Sequence, residues 1–98
     1  MEKTKLPEPF RTDWINALRS GEYKQCTMTL HKDGCFCVWG VAGIVQGLKP
    51  DDMTPYCYPR EAGIEKYLTH KEYNHIFGLN DHEGWTFSDI ADYIEQNH

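Results

Sequence analysis

A chain of 98 residues with a net charge of −5, 40% hydrophobic and 13% aromatic, is sized for one domain and too short for two independent cores. The aromatic content excludes a disordered chain and points to a small core built around large rings. No run of cations exceeds two neighbours, which excludes a basic nucleic-acid footprint, and the acidic runs are too short for a nucleic-acid mimic.

Residues 1–7 read as a flexible lead, with a single domain over 8–98. The opening MEKTKLPEPF has no apolar run, so neither a signal peptide nor a membrane span is expected. The expected setting is a cytoplasm, where thiols stay reduced, so Cys26, Cys35, Cys37 and Cys57 are expected as free thiols or metal ligands.

A first helix is predicted to begin near Glu8–Phe10, with Phe10, Trp14, Ala17 and Leu18 on one apolar face and Gly21 as its left-handed stop. CTMTLHKDGCFCVW then alternates like a hairpin around Asp33-Gly34. That register sets Lys32 opposite Cys35, Leu30 opposite Cys37 and Met28 opposite Trp39. The two-residue period puts Met28, Leu30, Cys35, Cys37 and Trp39 on the core side, and Thr27, Thr29, His31 and Phe36 on the more exposed side.

VWGVAGIVQG fits a continuing strand or a buried helix ending at Gly47; a short strand passing into a helix is the expectation. LKPDDMTPYCYP is a proline-punctuated loop, followed by short helices over Arg60–Leu68 and over Lys71–Phe77, the latter closed by Gly78. In the last helix Thr86 caps, Asp89 stands three residues on, and Phe87, Ile90, Ala91 and Ile94 form the apolar stripe. Ser88, Asp92, Glu95 and Gln96 face water. The fold class is α+β: a hairpin packed by N-terminal, central short and C-terminal amphipathic helices.

No catalytic triad, phosphate loop or complete metal signature occurs. Cys35 and Cys37 could share one strand face, but no second pair follows at zinc-site spacing, so packed thiols are the expectation. Cys57, in YCYPRE near Arg60, is the candidate for a nucleophile; its plainer reading is a loop thiol between two tyrosines. LNDHEGWTF lacks the first and last carboxylates of a calcium loop, which leaves Asn80 and Asp81 as a turn ahead of the last helix.

ALRSGEYKQ offers two readings. Arg19 and Lys24 stand where cations offset a helix dipole, Gln25 can pair with an edge strand, and Tyr23 can lay its ring on the core. As a recognition surface, Arg19, Tyr23, Lys24 and Gln25 would instead project together beside Asn80 and Asp81 toward an anionic or planar partner. As scaffold, the same residues would bond one another, with Asp81 paired to Arg19 or Lys24.

The combination of ALRSG-x-YKQ after a tryptophan helix, C-x-x-GVA, LND and IAD-x-IE resembles a family of small uncharacterised bacteriophage and prophage proteins. Matching positions run through Trp14, Ala17 to Gly21, Tyr23 to Gln25, Leu30, Cys37 and Gly40 to Ala42. They resume at Leu79 to Asp81, Phe87, Ile90 to Asp92, Ile94 and Glu95. Cys26 stands where the family has a small residue, and Val38 where it has a second adjacent cysteine. The resemblance implies a phage setting and a shared fold but no reaction.

The expected function is therefore non-enzymatic binding of a host protein or a small signalling molecule, with an anti-defence role, no cofactor, no nucleic acid and no membrane. The alternative is a small metal- or thiol-dependent enzyme, or a zinc-stabilised domain, using Cys35, Cys37 or Cys57 with a histidine.

Overall fold

The computed structural model describes residues 6–27, 31–49 and 68–98. Among them are helices α1 (Phe10–Arg19), α2 (Val38–Val45), α3 (His70–Asp81) and α4 (Phe87–Asn97), and strands β1 (Lys24–Gln25), β2 (His31–Lys32) and β3 (Cys35–Phe36). The fold class is α+β.

Asp33 and Gly34 take φ of 50° and 83°, the two left-handed residues of a tight hairpin turn, and Lys32 pairs with Cys35 as the turn predicts. Met28, Leu30 and Thr29 lie outside the described residues. Two expectations for this region are corrected. Phe36 is buried while Cys35 is partly exposed, and Trp39 belongs to a helix. Within β3 the two residues do alternate, but the inward face is that of Phe36; beyond it Cys37 is the extended residue before α2, so the strand period does not reach Trp39. The run VWGVAGIVQG has no strand of its own: it is helical from Val38 to Val45, so the buried-helix alternative holds there and the strand ends upstream at Phe36.

β3 is the central strand of the sheet, in the order β1-β3-β2. β1 pairs with it in parallel, Lys24 opposite Cys35 and Gln25 opposite Phe36. Gln25 thus sits on an edge strand.

The core is a column of rings. Phe10 stacks on Trp14 at 5.4 Å, Trp14 on Trp39 at 5.2 Å, and Trp39 on Tyr73 at 4.8 Å, joining α1, α2 and α3. Trp14 Nε1 donates to the Val38 carbonyl at 3.1 Å, which satisfies a polar group that burial would otherwise penalise. Trp39 Nε1 is buried with no acceptor. Against this column α4 lays Phe87, Ile90, Ala91 and Ile94, all buried, as the stripe predicts, and Thr86 Oγ1 accepts from the Asp89 N–H at 3.1 Å.

α3 differs most from expectation. It starts one residue early behind a reciprocal capping box, Thr69 with Glu72, and runs through Gly78 to Asp81. The chain turns instead at Gly84, at φ 71°. Just before it, the carbonyl of Gly78 accepts from the N–H groups of His82 and Glu83, each at 2.9 Å. Asn80 and Asp81 are therefore the last turn of a helix and not a free turn. Residues 60–67 of the expected Arg60–Leu68 helix lie outside the described residues.

Candidate functional site

The six residues proposed from sequence do not form one patch. Arg19, at the end of α1, reaches α4, its guanidinium 2.6 Å from Asp92 Oδ1 and 3.1 Å from Glu95 Oε2. These bonds hold the guanidinium above its ordinary pKa, and the bond from Arg19 holds the Glu95 carboxyl below its own. Arg19 is thus occupied by its own fold. Tyr23 is half-buried, edge-on to Phe36 at 5.6 Å, and Lys24 is exposed.

Gln25 points the other way and spends its whole amide. Its Nε2 donates to Asn80 Oδ1 at 2.9 Å and to the Trp85 carbonyl at 2.8 Å, and its Oε1 accepts from the Phe87 N–H at 3.1 Å. Phe87 opens α4, so this last bond satisfies one of the donors that a helix start leaves without an intrahelical partner. Asn80, 2% exposed, donates to the Cys26 carbonyl at 3.0 Å and to Asp81 Oδ1 at 2.6 Å. The neighbourhood of Gln25 and Asn80 is as expected, but it is an internal clamp between β1, α3 and α4. Asp81 pairs with neither Arg19 nor Lys24: its Oδ2 is buried without a hydrogen bond.

The thiols gather beside this clamp. Burial pushes the Cys26 thiol up to about 12, helped by a hydrogen bond with Cys35 and by the charges of Cys35, Cys37 and Asp81. Such a thiol carries almost no thiolate at neutral pH and is a poor nucleophile. Cys57 lies outside the described residues. Among the described residues, no group of three or more histidine, cysteine, aspartate or glutamate side chains is arranged to hold a metal ion, and no helix is long and apolar enough to cross a membrane.

The clamp positions one residue that the sequence reading passed over. Both backbone groups of Trp85 are held: its N–H donates to the Leu79 carbonyl at 3.0 Å, and its carbonyl accepts from Gln25. Trp85 is nevertheless 37% exposed, the exposed large hydrophobic residue among the described residues. Its ring stands nearly perpendicular to Tyr93, at 82° with ring centres 6.5 Å apart, and Tyr93 in turn meets His75 at 5.2 Å.

Two open pockets share Trp85. One, of about 410 Å³, is lined by Trp85, Asp89, Asp92, Tyr93 and Gln96; the other, of about 270 Å³, is lined by Asn74, His75, Gly78, Leu79, Glu83 and Trp85. A signal for this face was present in the sequence. Trp85 directly precedes the cap Thr86, hence precedes the apolar stripe that starts at Phe87, so the core has no place for it.

A family model described as "Domain of unknown function (DUF8296)" matches residues 7–47, a span that takes in α1, the sheet and α2 and stops short of Trp85. No curated protein and no solved structure matches the chain.

Proposed function

We propose that the protein is a non-catalytic binding protein that occupies a host protein through the face around Trp85, in the bacteriophage setting that its motifs imply. The observation carrying this reading is an aromatic residue left open to water while its backbone is bonded on both sides. A large amphipathic ring on a held backbone has few rotatable bonds to immobilise on binding, which is why tryptophan and tyrosine serve as anchors at protein interfaces. The two shallow pockets beside it suit side chains of a partner surface better than a wholly enclosed small molecule. A further consequence of occupying such a target would be the blunting of a host defence.

Affinity capture from bacterial lysate tests this, using the parent chain and Trp85→Ala side by side, with circular dichroism to show that both are folded. The expected result is a partner retained by the parent and lost by the variant. Equal capture by both, or no partner from infected and uninfected cells alike, would overturn the reading.

A further inference from the structure

We infer that the pocket between Trp85 and Tyr93 receives the guanidinium of an arginine on the partner protein, an inference that rests on the binding role of this face. Two ring systems and two carboxylates line one opening: Trp85, Tyr93, Asp89 and Asp92, with the Gln96 amide beside them. Aromatic faces attract cations through their quadrupole, tryptophan most strongly. The rings stand at 82° and so do not stack on each other.

The carboxylates decide the sign of the occupant. Asp92 already shares Arg19 with Glu95. Asp89 does not: its backbone N–H bonds to the Thr86 cap, and its carboxylate has no hydrogen-bond or ion-pair partner among the described residues. An anionic ligand would meet two carboxylates, and a neutral one would leave Asp89 unanswered. A guanidinium fits both parts of the opening. It is planar and stacks on a ring, it is weakly hydrated, and its fork of N–H donors matches a carboxylate in paired bonds. The chain's overall charge of −5 favours approach of a cationic surface.

The probe is the blocked tripeptide acetyl-Gly-Arg-Gly-amide, followed through the tryptophan indole N–H signals of the full-length protein. Trp14 and Trp39 are fully buried, so they serve as internal references for Trp85. A saturable shift confined to the Trp85 signal is expected, weakening as salt is raised. Asp89→Asn, which keeps the backbone bond to Thr86, should weaken binding about tenfold, the loss expected when one charged hydrogen-bonding partner is removed.

The citrulline tripeptide, which replaces the guanidinium by a neutral urea of the same shape, should cause no saturable shift. Equal binding of the citrulline peptide, tighter binding of tetramethylammonium, or no saturable response to the arginine peptide would each overturn the inference. If lysate capture yields a Trp85-dependent partner that the arginine peptide does not displace, the inference fails while the binding role stands. If the peptide binds but no partner is captured, the binding role fails and the site remains.

Discussion

Ile90→Asp is expected to leave the chain unfolded at room temperature. Ile90 is fully buried in the middle of the α4 stripe and belongs to the same core cluster as the stacked rings and the apolar residues of α1. Removing it forfeits about 1.5–3 kcal/mol of burial. The aspartate adds the larger penalty, because an unpaired carboxylate in an apolar interior must either ionise at high cost or hold its proton against neutral water. A domain of this size has about 5–15 kcal/mol in total, so the two losses together consume most or all of it. Circular dichroism and urea titration would read the outcome directly. A variant melting within a degree or two of the parent would mean that α4 presents a different face to the core.

Gln25→Ala is the second large effect, expected on a residue that looks like surface. The substitution deletes three hydrogen bonds and strands the Asn80 Oδ1, the Trp85 carbonyl and the Phe87 N–H. Two of the three bonds, those to Asn80 and Phe87, are part-buried, while water can answer the exposed Trp85 carbonyl. The loss is about 2–3 kcal/mol, which is roughly 10–20 °C of melting temperature for a domain of about a hundred residues. Gln25→Glu should rescue little: a carboxylate can still accept from Phe87, but it cannot donate to Asn80 or Trp85. A melting temperature unchanged by both substitutions would return Gln25 to the surface and remove the clamp from the account.

Local signals in the sequence were legible because each is complete within a few residues. Asp33-Gly34 forms its turn, Thr86 caps α4, and the stripe from Phe87 to Ile94 faces inward. Thr69 and Glu72 carried the same kind of signal, a capping box three residues apart, that would have placed the start of α3 one residue earlier. Gly78 misled for a physical reason: glycine permits a left-handed stop but does not impose one, and the stop falls at Gly84.

Relations between distant segments were not legible. Nothing local states that β1 runs parallel to β3, or which face of β3 meets the core, Phe36 rather than Cys35. Gln25 and Asn80 were drawn together correctly as neighbours, yet whether polar groups face water or each other depends on the packing of α3 and α4 around them. Arg19 illustrates the same point, since its partners Asp92 and Glu95 lie more than seventy residues away. The face of Trp85 emerges only when the clamp beneath it is in place.

If a partner is held at the Trp85 face, as proposed, the stretch Ala17 to Gln25 serves the scaffold and not the contact. Hydrogen–deuterium exchange of the protein, free and in complex with its captured partner, sets those two surfaces against each other in one measurement. New protection on binding is expected in residues 82–96, strongest between Glu83 and Asp89, with the segment 17–25 unchanged. Protection appearing at 17–25 and absent from 82–96 would contradict it.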